Sequence, residues 1–227
     1  PRRIWLPEFL RAVEMSANFS AQNLGVTLLA LTPKTILDAH LDGTLDEPKV
    51  LPHKDKFEML AIQSDARVRF EEYRRLVRES FVRGESVFLC VPTEVDVERA
   101  AKELGRGIED YTFSFHSSVT KKRTLENWKK VSMEKHAVLV VGTAQYLALP
   151  RYFKTIILDE EHSHSWKTMV RPLLDLRIFV EEYARVCESL LIVGSSLLRA
   201  ETHERVANGA VGKFTHISAH ARGDTKI

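Results

Sequence analysis

From Phe57 onward, short apolar runs alternate with amphipathic stretches, and this alternation organises the chain. FEMLAI (57–62), VFLCV (87–91), YTFSF (111–115), AVLVV (137–141), TIILD (155–159) and LLIVG (190–194) have the length and composition of strands. AVLVV and TIILD are apolar enough to be buried on both faces. Between them, helices are predicted over 67–82, in TEVDVERAAKELG with Thr93 as cap and Gly105 as stop, and in TLENWKKVSM. Two more are predicted in RPLLDLRIFVEEYARVCES, with Pro172 at its start, and in SLLRAETHERVA. The order βαβαβαββαβα implies an α/β fold, a parallel sheet with helices on both faces. Ligands in such folds collect where loops leave the carboxyl ends of strands. Those loops are Pro92-Thr93, His116-Ser117, Gly142-Thr143, Asp159 to His162 and Gly194-Ser195.

The first 40 residues read as short helical pieces. Ile4, Leu6, Phe9, Leu10 and Val13 fall close to helical spacing, with Pro7 suited to a first turn, and AQNLGVTLLALTP ends near Pro33. DAHLDGTLDEPKVLPHKDK is polar, carries Gly43, Pro48 and Pro52, and reads as a linker. After Gly209, KFTHI reads as one further strand before a tail. The expected division is a helical connector and linker over 1–50, a main domain over 51–208 and a tail over 209–227.

Composition narrows the class without choosing a function. The chain has 227 residues, 44% of them hydrophobic, which supports one main domain with a real core. Cys90 and Cys187, both among aliphatic residues, are too few for a disulfide scaffold and read as buried thiols of a reducing compartment. No run approaches the roughly 18 apolar residues of a spanning helix, and PRRIWLPEFL lacks a signal-peptide core. The expectation is therefore a cytoplasmic protein with no membrane partner. Lys and Arg number 33 against 31 Asp and Glu, so any nucleic-acid surface must come from local clustering.

The sharpest local feature is ILDEEH (157–162), an acidic group at the end of a buried strand. In nucleotide-driven motors, such an Asp holds Mg²⁺ and the Glu polarises the attacking water. By spacing, Asp159 takes the first role and Glu160 the second, while His162 couples nucleotide state to the rest of the lobe. Two plainer readings stand beside this one. The acids begin a solvated helix, or Asp159, Glu160, Glu161, His162 and His164 hold the loop by hydrogen bonds.

The order of the surrounding segments resembles the first motor lobe of the PriA family, the primosomal replication-restart DNA helicases. GESVFLCVPTE (84–94), SFHSSVTKKRTLENW (114–128), VLVVGTAQYLALPRYFKTIILDEEHSHSWK (138–167) and LLDLRIFVEEYARV with LLIVGSSLLRAET (173–202) follow that family's motifs in sequence. LPEFLRAVEMSANFSAQNLGVTLLALTP is similar to its preceding helical connector. The resemblance implies a RecA-like, P-loop-NTPase-type sheet preceded by a small helical segment. It also implies an Asp-Glu-Glu-His box at 159–162.

The chemistry that the resemblance implies is interrupted at several positions. A phosphate loop needs glycines that let backbone N–H groups curl around phosphate, and a Lys to neutralise it. The family's Gly-Ser-Gly-Lys-Thr falls on Ala66, Arg67, Val68, Arg69 and Phe70, without a glycine or a hydroxyl. Ser118 replaces a Gly after His116-Ser117, Ala144 replaces the Arg after Gly142-Thr143, and Leu174 replaces the Arg before Asp175. The third motif reads Ser195, Ser196, Leu197, with Leu197-Leu198 for the usual Thr-Pro. A second motor lobe does not fit within 227 residues. The expectation is a catalytically inactive PriA-like module needing no cofactor, which binds DNA or another replication or repair protein. One alternative is a component of an ATP- and Mg²⁺-dependent helicase whose second lobe lies elsewhere. Another is a structural interaction domain without nucleic-acid affinity.

Candidate contacts to single-stranded or forked DNA are His116, Ser117, Lys121, Lys122, Arg123, Trp128, Gly142 and Thr143. The cations would neutralise phosphates and Trp128 would stack a base, giving weak, salt-sensitive binding. The plain alternative is a solvated basic helix end with Trp128 packed onto the sheet. A second basic group comprises Arg67, Arg69, Arg74, Arg75 and Arg78. His162, His164, His216 and His220 lack metal-ligand spacing and read as surface histidines, so no metal site is expected. Gly194-Ser195-Ser196 has no GxSxG frame, which argues against hydrolase chemistry.

Overall fold

The computed structural model describes residues 4–45 and 56–214. The apolar runs form a seven-stranded sheet in the order β3-β4-β2-β5-β6-β1-β7. Its strands are β1 (Glu58–Gln63), β2 (Val87–Cys90), β3 (Thr112–Phe115), β4 (Leu139–Gly142), β5 (Thr155–Leu158), β6 (Leu190–Ser195) and β7 (Gly212–Lys213). Every pairing is parallel. β2, β4, β5 and β6 are buried at every position, as a sheet covered on both faces requires. This is the α/β, RecA-like P-loop-NTPase-type sheet expected from the sequence.

Among the described residues, eight α-helices accompany it: α1 (Pro7–Phe19), α2 (Leu24–Ala30), α3 (Lys34–Leu41), α4 (Ala66–Val82), α5 (Glu94–Leu104), α6 (Lys121–Met133), α7 (Leu176–Val186) and α8 (Ala200–Ala207). One face of the sheet buries Phe70, Tyr73, Leu76 and Val77 of α4 with Val97 and Leu104 of α5. The opposite face buries side chains of α6 and α7 together with Phe9, Val13 and Ile36 of the N-terminal helices. Phe9 meets Phe179 edge-on at 5.6 Å, and Trp5 Nε1 donates to Thr32 Oγ1 at 3.0 Å. The N-terminal helices thus share a continuous core with the sheet.

Several element boundaries differ from the sequence expectation, three of them by enough to change the reading. The helix assigned to begin at Pro172 starts only at Leu176, capped by Asp175, whose carboxylate accepts from Arg177 N at 3.1 Å. Residues 168–174 are instead held as an irregular segment by Thr168 Oγ1, which bonds Pro172 O and Leu174 N at 2.7 Å each. The helix assigned from Ser196 starts at Ala200. The polar stretch read as a linker still contains the last turn of α3, because Ala39 and His40 are buried there. Residues 46–55 of that linker and residues 215–227, which include the end of KFTHI, His216 and His220, lie outside the described residues.

Candidate functional site

The site is built at the carboxyl ends of β1, β5 and β6. Leaving β1, the chain turns into α4 through Ser64 and Asp65 alone. Asp65 caps the helix, its Oδ1 accepting from Val68 N at 3.1 Å. Ala66 to Phe70, aligned with a phosphate loop, are therefore the first turns of a helix. No glycine-type phosphate-binding turn forms at these positions. A carboxylate occupies the helix N-terminus where a phosphate would bind, and like charge opposes a nucleotide there.

Helical spacing then settles what Arg69 does. Arg69 and Tyr73 are four residues apart on the buried face of α4, and both are fully buried. Arg69 Nε donates to Asp159 Oδ1 at 2.9 Å, Nη1 donates to Ser64 O at 2.7 Å, and Nη2 donates to Glu160 Oε1. Tyr73 donates its hydroxyl to the same Asp159 Oδ1 at 2.8 Å. Burial works against the guanidinium charge, but the hydrogen bond and attraction of Asp159 outweigh it, so the Arg69 pKa lies above its ordinary value. Tyr73 comes this close to β6 only because residue 194 is glycine. A Cβ there would fall 1.6 Å from the Tyr73 hydroxyl.

Each remaining member of the acidic box is bonded within the fold. Glu160 adopts a left-handed backbone, φ +52°, which turns its carboxylate toward Arg69. Its carbonyl accepts from the buried Trp166 Nε1 at 3.0 Å. Glu161 is buried and caps α8, accepting from Arg199 N at 3.0 Å and from the Thr202 hydroxyl. His162 Nδ1 lies 2.6 Å from Ser195 Oγ, and Ser195 donates onward to Leu197 O at 2.8 Å. Ser195 is the last residue of β6, with Ser196 and Leu197 just beyond it. His164 is exposed. Asp159, Glu160, His162, Arg69 and Ser195 are thus linked through Ser64, while the Glu161 carboxylate is bonded separately at the start of α8.

These residues do not fit a nucleotide with its Mg²⁺. The acid pair is engaged by an internal guanidinium, the loop after β1 has no glycine cradle, and Phe70 is buried at the position that needs a ligating hydroxyl. Among the described residues, no group of three or more His, Cys, Asp or Glu is arranged to hold a metal ion.

The candidate nucleic-acid residues separate into two sets. Ser117 and Thr143 line a 640 Å³ cleft with Pro92, Thr93, Glu94 and Tyr146. The Gly142 Cα is packed against Phe115, and a Cβ there would meet the Phe115 carbonyl at 2.9 Å. Lys121, Lys122 and Arg123 are exposed on the first turn of α6 and pair with no carboxylate among the described residues. Trp128 is a correction to the stacking role: it is 5% exposed and meets Phe115 edge-on at 6.5 Å. His116 is likewise buried, its Nε2 2.8 Å from Glu98 Oε1. Ser117 and Ser118 donate to Glu94, and these bonds hold the Glu94 carboxyl below its ordinary pKa.

Most of the second basic group is committed to ion pairs. Arg67 faces Glu71 at 3.9 Å, Arg74 faces Glu103 at 3.3 Å, and Arg75 faces Glu72 at 2.8 Å. Arg78 donates to the Arg106 carbonyl. Tyr73, Glu94 and Asp65 are the site residues the sequence reading missed, and the close approach of Tyr73 to Gly194 was not foreseen. Two had a visible signal: Asp65 precedes an amphipathic run as a cap does, and Tyr73 follows Arg69 at i+4.

No protein-family model matches the chain. It is similar to Replication restart protein PriA of Treponema pallidum (strain Nichols), 22% identical over 144 residues, covering 63% of this chain and 22% of that protein. Replication restart protein PriA of Synechocystis sp. is 24% identical over 224 residues, covering 89% of this chain and 26% of that protein. Mycobacterium smegmatis helicase Lhr, solved bound to ssDNA and AMP-PNP, covers 92% of this chain and 34% of its own at 12% identity and TM-score 0.48. The chain spans about a quarter of the length of the curated relatives it matches. The chain is distantly similar to PriA-named proteins, and its parallel sheet with helices on both faces is of RecA-like type. Among the described residues, no helix is long and apolar enough to cross a membrane.

Proposed function

We propose that this chain is a catalytically inactive counterpart of the first PriA motor lobe, acting as a DNA-contacting module in replication or repair. The observation that carries the reading is the fully buried Arg69 bonded to both Asp159 and Glu160. A carboxylate pair engaged in this way is not available to Mg²⁺, and the Asp65-capped helix offers no cradle for phosphate. DNA contact is assigned to Lys121, Lys122 and Arg123, with Ser117 and Thr143 in the adjacent cleft. Base stacking has no part in it, because Trp128 is inside. With few phosphates neutralised and Glu94 and Glu98 nearby, binding is expected to be weak and salt-sensitive, with a shallow slope set by those few contacts.

Two measurements test this. Calorimetric titration with ATP and Mg²⁺ should detect no binding, and hydrolysis should stay at background with or without single-stranded DNA. Micromolar affinity and DNA-stimulated turnover that vanishes in Asp159→Asn would overturn it. Fluorescence anisotropy on single-stranded and forked DNA should show salt-sensitive binding that falls when Lys121, Lys122 and Arg123 are replaced by Gln. A second reading, a protein-interaction domain without DNA affinity, draws on the exposed Met169, Val170 and Leu173 of the irregular segment before α7. Absence of DNA binding at low salt would favour it.

A further inference from the structure

The three guanidinium nitrogens of Arg69 tie the loop after β5 to the loop after β1. Nε and Nη2 reach the two acids after β5, and Nη1 reaches the Ser64 carbonyl after β1. Ser64 N in turn donates to Ser195 O at 3.1 Å, and His162 closes the circuit through Ser195 Oγ. The ring runs from β1 to β5 to β6 and back. The guanidinium is the cation bonded to both acids, and His162 Nδ1 lies 3.4 Å from Glu160 Oε2 on the exposed side of the ring.

We infer that Asp159 and Glu160 form a cation site filled from within, in which the Arg69 guanidinium stands in for a divalent ion and holds these three loops in one arrangement without any ligand. The inference rests on the reading of the lobe as inactive and adds a cause for it. Removing the guanidinium would leave two adjacent carboxylates and the Ser64 carbonyl facing a space they already surround. Asp159 is buried and Glu160 partly so; without a counter-charge the pair is destabilising, and a cluster of hard oxygens meets that demand with a hard divalent cation. The intact chain should therefore ignore divalent ions, and a chain lacking the guanidinium should acquire a use for them.

The test titrates MnCl₂ into the full wild-type chain, Arg69→Ala and Arg69→Ala/Asp159→Asn without nucleotide, at matched ionic strength. Bound Mn²⁺ is read from loss of the free-ion EPR signal, and melting is followed in parallel. Arg69→Ala should bind a single Mn²⁺ with Kd on the order of 1 mM, and its Tm should rise by about 2–4 °C at saturation. The wild type and the double variant should do neither. Should Arg69→Ala fail to fold unaided, refolding driven by Mn²⁺ or by methylguanidinium supports the inference. Arg69→Lys, which keeps a cation in place, should fold and bind no Mn²⁺. Asp159-dependent Mn²⁺ binding by the wild type or by Arg69→Lys overturns the inference, as does a folded Arg69→Ala that takes up none. Because no nucleotide is present, ATP turnover by the wild type would defeat the inactive-lobe reading separately.

Discussion

Nε of Arg69 lies 2.9 Å from Oδ1 of Asp159, across 90 positions of the chain, and both side chains are almost wholly buried. The pair binds the first helix after β1 to the end of β5 by a charge-assisted hydrogen bond in a region without solvent. Such a pair contributes little over an apolar replacement, but breaking one side of it leaves an uncompensated buried charge.

Asp159→Ala should accordingly cost about 3–5 kcal/mol in urea denaturation. Arg69→Ala/Asp159→Ala should cost less than the sum of the two single changes. Strict additivity in that double-mutant cycle would mean the two groups are not coupled.

Gly194→Ala should destabilise the chain through Tyr73, because the new Cβ would overlap the tyrosine hydroxyl. The expected loss is about 1–3 kcal/mol. Tyr73→Phe in the same chain should recover part of it, since the closest clash is with the oxygen. An equally large loss in both backgrounds would locate the strain elsewhere.

Glu181 gives a pH dependence with a defined sign. It accepts from Arg205 at 2.7 and 2.9 Å and from Arg185 at 2.8 Å. Burial alone would raise its pKa, but the bonds and charges of Arg205 and Arg185 hold it below the ordinary carboxylate value. The unfolded chain then takes up this proton more readily than the folded one. The stabilisation is present above the unfolded pKa and is lost as pH falls through the folded one. The stability difference between wild type and Glu181→Gln should be largest near neutrality and shrink on acidification. A constant difference across that range would rule out the linkage.

Trp128→Ala should cost about 3–5 kcal/mol, the usual loss for emptying a buried aromatic site. Trp128→Phe should leave DNA affinity unchanged in anisotropy titrations at fixed salt. A large loss of affinity in a stably folded Trp128→Phe would return Trp128 to the DNA-contacting surface.

The sheet and its helices were legible because they rest on local periodicity. VFLCV, AVLVV and TIILD are apolar at nearly every position, as strands covered on both faces must be; β2 and β5 formed within them, and β4 overlaps AVLVV and runs on to Gly142. The start of α7 was not legible. Pro172 suits a first helical turn in isolation, and only the bonds of Thr168 to Pro172 and Leu174 hold that segment out of the helix.

The sequence by itself determined the order of elements, the acidic box at the end of β5 and the loss of glycines before α4, since each depends on residue type and short-range spacing. Tertiary structure alone decided the fate of the acidic box. Whether Arg69 points to solvent, to a phosphate or to a carboxylate depends on where β5 lies relative to α4. That is set by strand order, which brings Asp159 and Glu160 beside a helix more than 80 residues earlier. The same packing took Trp128 into the core and left Lys121, Lys122 and Arg123 outside, because α6 can bury only one of its faces.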